Sequence, residues 1–165
     1  MWKEVARLLN LQKVRPVEED VLQSIMQFYI YEFSKYIPTI SLGANGQYDP
    51  FNLKKYWEND NFHAFFVKLE DELIGFVLIE SSKVSSPNTI KEFFIMAKHS
   101  GKGYGKEIAK KLFNIFPGFW KITQIENNKS AHTFWHKVVK EVTNGNFMEF
   151  LEDGKFTQEF NTIRQ

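Results

Sequence analysis

The sequence predicts an α/β protein built on a mixed sheet with helices on both faces. Strand-like and helix-like runs interleave in the order β-α-(α)-β-β-β-α-β-α-β-β. Residues 90–116 read as a strand, three glycines at alternate positions, then an amphipathic helix. Hairpin signals at Glu70-Asp-Glu72 and Asp153-Gly154 flank that stretch.

The 165 residues suit one domain, taken as 1–165, with one core. Hydrophobic content is 43% and charged content 25%, as in an ordinary soluble protein. The 17 phenylalanines imply an aromatic-rich core. A net charge of +1, from 21 basic and 20 acidic residues, advertises no nucleic-acid or membrane surface. No cysteine is present, which excludes disulfides, thiolate catalysis and thiolate metal sites. Met1-Trp-Lys-Glu-Val lacks the apolar region of a signal peptide, and no apolar run approaches the ~20 residues of a membrane span. The expected location is the cytoplasm.

The first strand is expected over 9–15, stopped by Pro16. Glu18-Glu-Asp20 then suits the positive end of a helix dipole. Val21, Leu22, Ile25, Met26, Tyr29, Phe33 and Tyr36 give an apolar face, so a helix should run over 18–36, before Pro38. Two prolines and two glycines make 37–52 a loop, long enough to be functional or mobile. A short helix follows over 53–58.

Runs at 61–69 and 73–79 form an antiparallel hairpin, the second run covered on both faces. A polar connection over 81–89 leads to the strand at 90–97. The helix over 107–116 buries Ile108, Ala109, Leu112, Phe113 and Phe116, and Pro117-Gly118 stops it. A strand follows over 119–125. Asn128 is a competent cap for a helix over 129–140 that buries Ala131, Phe134, Trp135, Val138 and Val139. Strands at 147–151 and 156–162 close the chain.

The helix after Gly101, Gly103 and Gly105 has no Ser, Thr, Asp or Asn to cap its first N–H groups. A phosphate could serve them, and glycines let its oxygens approach the backbone. A plain glycine turn fits the same residues. The spacing excludes the P-loop, because three residues separate Gly101 from Gly105 and Glu107 follows Lys106. It also excludes the dinucleotide fingerprint, which would need a glycine at Lys106 or at Ile108.

Ser100-Gly-Lys-Gly103-Tyr-Gly105 resembles the acyl-CoA signature Q/R-x-x-G-x-G/A of the GNAT superfamily of N-acetyltransferases, with Ser100 as the departure. Asn128-x-x-Ala131-x-x-Phe134-Trp135 resembles that family's N-x-x-A-x-x-hydrophobic-Tyr segment. Phe28-Tyr-Ile-Tyr-Glu-Phe-Ser34 and Phe134-Trp135 also resemble a bacterial subgroup of predicted acetyltransferases. The order of elements matches over nearly the whole chain. The resemblance implies a mostly antiparallel central sheet of about six to seven strands and transfer of an acetyl group from acetyl-CoA to a primary amine.

It further implies that acetyl-CoA lies between the strands at 90–97 and 119–125. Ile95, Met96 and Ala97 would pair with its pantetheine arm as an added strand would. Gly101, Lys102, Gly103, Tyr104, Gly105 and Lys106 would hold the pyrophosphate, and Asn128, Phe134 and Trp135 the thioester end. Freeing a lysine-type amine at pH 7 costs about 4.6 kcal/mol, so a general base is needed. Glu92 is the first candidate and Glu126 the second. The family's tyrosine acid is replaced by Trp135, whose indole cannot donate a proton, leaving Tyr104, a water or unassisted departure of the thiolate.

Tyr29, Tyr31 and Glu32, with Tyr48, are candidate acceptor contacts. His63, His99, His132 and His136 read as surface or structural. His132 and His136 have metal-capable spacing, but nothing suggests a third ligand, so no metal is expected. The expected partners are acetyl-CoA and an amine, with no nucleic acid or membrane, in a monomer or homodimer. A non-catalytic acyl-CoA binding or sensing module is the alternative that Ser100 and Trp135 leave open.

Overall fold

A computed structural model describes residues 8–163, so the reading of Met1-Trp-Lys-Glu-Val lies outside the described residues. Its elements are β1 (Leu9–Lys13), α1 (Glu19–Ser34), α2 (Lys54–Glu58), β2 (Phe62–Leu69), β3 (Glu72–Glu80), β4 (Thr89–Ile95), α3 (Tyr104–Ile115), β5 (Phe119–Ile125), α4 (Lys129–Thr143), β6 (Met148–Glu152) and β7 (Lys155–Asn161). The predicted order of elements is observed throughout.

The strands form two leaves, β1-β2-β3-β4 and β5-β7-β6, each antiparallel throughout. The leaves meet at Asn88, which bridges Trp120 in parallel and makes the whole assembly mixed, mostly antiparallel and helix-covered. The Asn88 N–H donates to the Phe119 carbonyl and its own carbonyl accepts from Lys121, both at 2.9 Å. Its buried side chain accepts from Ser82 N–H at 2.8 Å and donates to the Phe116 and Phe119 carbonyls at 3.3 Å. Beyond this anchor β4 and β5 are not neighbours in a sheet, so the assembly forks.

A core packs on each face of the first leaf. Ile74, Val77 and Ile79 of β3 join Ile108, Leu112, Trp135 and Val139 from α3 and α4. Phe76 and Leu78 join Leu22, Ile25 and Met26 from α1 on the other side. β3 is thus covered on both faces, as its unbroken apolar run predicts. Each such side chain contributes about 1.5–3 kcal/mol by leaving water.

Several boundaries differ from the sequence reading, each for a local reason. β1 stops at Lys13, short of the expected residue 15, and Pro16 opens a 3-10 turn (Pro16–Glu18), held by Arg15 N–H and its guanidinium on Glu18 at 3.0 and 3.1 Å. β4 stops at Ile95, because a 3-10 turn (Ala97–His99) closes through His99 N–H on the Met96 carbonyl at 2.8 Å. α3 starts at Tyr104, three residues before the expected Glu107, because Glu107 N–H already bonds the Gly103 carbonyl. α4 runs on to Thr143 and ends where Asn144 takes φ 52°, a conformation asparagine tolerates.

Candidate active site

The free end of β4, the turn over 97–106, α1 and α4 line a cleft of about 850 Å³. Met96 N–H donates to the Ile74 carbonyl on the β3 side at 2.8 Å. By strand alternation the peptide groups of Ile95 and Phe93 therefore face the fork. Ile95 and Ala97 line the cleft, whereas the Met96 side chain packs into the α1-side core.

Gly101 and Gly103 enter the left-handed region at φ 73° and 83°, and an added Cβ at either would meet nothing within 4 Å. Gly103 caps α3 without any side-chain oxygen, so the first N–H groups of the helix remain for another acceptor. Gly101, Gly103, Tyr104, Gly105 and Lys106 all line the cleft, but Lys102 does not. Lys106 shares the Glu141 carboxylate with Lys110, each at 3.3 Å.

Across the cleft Asn128 accepts from Ala131 N–H at 3.0 Å, capping α4 as expected. Phe134 and Trp135 line the same space, and the buried Trp135 meets Phe93 edge-on at 5.0 Å between ring centres. Tyr104 also lines the cleft, 6.3 Å from His99 between rings.

A second cavity of about 440 Å³ adjoins the cleft, and Tyr29 and Phe33 wall both. Its other walls are the 37–52 loop, through Ile37, Ile40, Tyr48, Asp49 and Phe51, and Glu92 of β4. The loop is tied to α1 by glutamine side chains one turn apart. Gln23 donates to the Phe51 carbonyl at 2.7 Å. Gln27 donates to the Tyr48 carbonyl at 3.1 Å and accepts from Tyr48 N–H at 2.9 Å.

Inside this cavity the Tyr29 hydroxyl donates to the Glu92 carboxylate. Burial pushes Glu92 above the usual carboxylate range, and the Tyr29 hydrogen bond and the charges of Lys91 and Lys55 only partly offset it. Burial, then the Glu92 charge and hydrogen bond, pushes the Tyr29 phenol far up, so it stays a proton donor. Tyr29 is fixed by stacking on Phe33 and meeting Phe76 edge-on, both at 5.5 Å.

Glu32 lines the cleft but pairs with Lys35 at 3.0 Å. Tyr31 is 64% exposed and lines neither cavity. Glu126 also lies outside both, its N–H bonded to Gly154. His99 is buried against Glu72 at 3.2 Å, and His63 meets Ser81 at 3.0 Å. Sequence reasoning missed Phe33, Asp49 and the Gln23–Gln27 clamp, whose only trace was two glutamines four apart facing a long loop.

It also missed Gly75. An added Cβ there would sit 2.1 Å from the Phe94 carbonyl oxygen, so only glycine lets β3 lie this close to the strand that edges the cleft. No helix among the described residues is long and apolar enough to cross a membrane.

The fold is shared with solved acetyltransferases. An acetyltransferase from Thermus thermophilus superposes with a TM-score of 0.65 at 15% identity, over 93% of this chain and 96% of that one. A Bacillus anthracis protein assigned to streptothricin acetylation, solved in complex with acetyl coenzyme A, gives 0.56 at 14% identity, over 94% and 98%. Mutant forms of a spermidine/spermine N-acetyltransferase from Vibrio cholerae give 0.58 at 15% identity, over 93% and 94%. No curated protein sequence matches significantly. Residues 22–139 match the Acetyltransferase (GNAT) family, which is more than half of the 165 residues, and the chain belongs to that family.

Proposed function

We propose that this protein transfers the acetyl group of acetyl-CoA to a primary amine by direct attack of the amine on the thioester. The observation that carries this reading is the junction of the two cavities at Tyr29 and Phe33. One cavity has the features of a donor site: an open strand edge, positive-φ glycines and an uncapped helix start. The other holds Glu92, a carboxylate whose pKa burial raises, the direction a general base needs.

In this reading Ile95 and Ala97 pair with the pantetheine arm through their peptide groups. Residues 101–106 offer N–H groups to the pyrophosphate, and Asn128, Phe134 and Trp135 enclose the thioester end. Glu92 takes the proton from the attacking ammonium. The neutral amine nitrogen then bonds the acetyl carbon and gives its second proton to solvent, the carbon–sulfur bond breaks, and Tyr104 protonates the departing sulfur and is reprotonated from solvent. Asp49 lines the same cavity as Glu92 and makes it acidic, which favours a cationic amine on an apolar body. A solved neighbour named for spermidine and spermine acts on amines of this charge type.

The test is a thiol-release assay over a panel of amines, free of protein background because the sequence has no cysteine. Release with at least one cationic amine is expected. A second reading, a non-catalytic acyl-CoA binder, is favoured by the buried Trp135 at the position of the family's tyrosine. It predicts a melting temperature raised by acetyl-CoA with no turnover of any amine.

A further inference from the structure

His132 and His136 lie one turn apart on α4, and β6 brings Glu149 to them. One ligand-type atom from each of the three lies within 4.8 Å of the other two. The His136 Nδ1 atom is 3.1 Å from Glu149 Oε1, and His132 Nε2 is 3.3 Å from the same oxygen. A tetrahedral ion with bonds of about 2.0 Å has ligand atoms about 3.3 Å apart, so both separations suit one shared ion.

The surroundings hold each group in place. The His132 ring stacks on Phe156 at 3.7 Å and 7°, and the His136 ring meets Phe147 edge-on at 5.6 Å. Glu149 accepts from the buried Gln158 at 2.8 Å through Oε2, which is also 3.2 Å from His136 Nδ1, while Oε1 faces both histidines. Gln158 is itself fixed by two reciprocal bonds to Gln124 at 2.7 and 2.9 Å. Such outer partners orient ligands in metal sites. The decisive detail is His132 Nε2, which is buried and makes no hydrogen bond. Glu149 Oε1 lies 3.3 Å away without hydrogen-bond geometry, and a metal ion would give this nitrogen a full partner.

We propose that His132, His136 and Glu149 bind a divalent transition metal ion of the zinc class. Two imidazoles and one carboxylate select such an ion over magnesium or calcium, which prefer all-oxygen shells. A water completes the fourth position. None of the three residues lines either cavity, so the ion takes no part in acetyl transfer. Its effect is mechanical: it joins α4 to β6. Because Asn128, Phe134 and Trp135 of the donor wall sit on or cap α4, the ion stiffens that wall from behind.

The test uses the untagged full chain, treated with a chelator and then titrated with zinc against a chromophoric competitor. One ion per chain and a higher melting temperature are expected, and cobalt should give the visible absorption of a four-coordinate nitrogen–oxygen site. His136→Gln and Glu149→Gln, each checked for cooperative unfolding, should weaken binding at least about tenfold. The half-exposed His136 side chain makes the first variant the safer one to fold. Absence of saturable binding, or binding in both variants as tight as in the parent chain, overturns the proposal. Zinc binding that is unchanged in the variants would place the ion elsewhere on the chain and have the same consequence.

Discussion

The Tyr29 hydroxyl reaches across from α1 to the Glu92 carboxylate on β4, joining a helix and a strand 63 residues apart in sequence. Tyr29 lines both cavities and Glu92 the smaller one, so that bond sits where the two proposed sites meet. It opposes, without cancelling, the upward push that burial gives Glu92.

Replacing Glu92 with glutamine should separate activity from stability. Between the ordinary carboxylate value of 4.5 and the raised native value, the folded chain binds more protons than the unfolded one. Stability contributed by Glu92 is therefore full below 4.5 and lost as pH rises through the native value. Glu92→Gln should flatten that part of the stability profile and melt no lower than the parent at pH 8. Its turnover should fall about a hundredfold or more. Calorimetry across pH and the thiol-release assay check both, and undiminished turnover would remove Glu92 from the base role.

Tyr29→Phe removes the hydroxyl that lowers the Glu92 pKa. The acid limb of the rate profile should move to higher pH, with a stability loss of about 1–3 kcal/mol. A limb that stays put or moves down contradicts the assignment.

Gly103 separates backbone strain from ligand repulsion. Any side chain there meets the cost of the left-handed conformation, about 1–2 kcal/mol, while finding open space. Asparagine tolerates φ near 83°, whereas glutamate adds a negative charge facing the cleft. Gly103→Asn should keep most of the thermal stabilisation by acetyl-CoA and Gly103→Glu should lose it. Equal stabilisation of both variants would displace the pyrophosphate from this loop.

Gly75→Ala drives a methyl group into the Phe94 carbonyl. The loss should be about 3 kcal/mol or more in denaturant unfolding, with weaker acetyl-CoA binding because β4 must move. A variant as stable as the parent would show that the two strands part easily.

Much of this architecture was legible because it rests on local periodicity. The unbroken apolar run of β3, the Asn128 cap and the Asp153-Gly154 turn each declare themselves within a few residues. The turn at Gly101 and Gly103 followed from glycine spacing for the same reason. What stayed hidden depends on distant pairs. Gly75 looks like a weak point in a strand until the Phe94 carbonyl is beside it. Glu149 stands in an ordinary short strand until β6 carries it to His132 and His136. Lys102 and Met96 were drawn into the site reading by adjacency in sequence, and neither lines the cleft, Met96 packing instead into the α1-side core.

The outer wall of the acceptor cavity is a single stretch of chain stapled to α1 by Gln23 and Gln27. The proposed donor cleft shares Tyr29 and Phe33 with that cavity but is lined by no residue of 37–52. The 37–52 loop is therefore an exchangeable cassette. A transplanted loop that keeps the two glutamine contacts would redirect which amine is accepted, while the machinery that handles the thioester stays as it is.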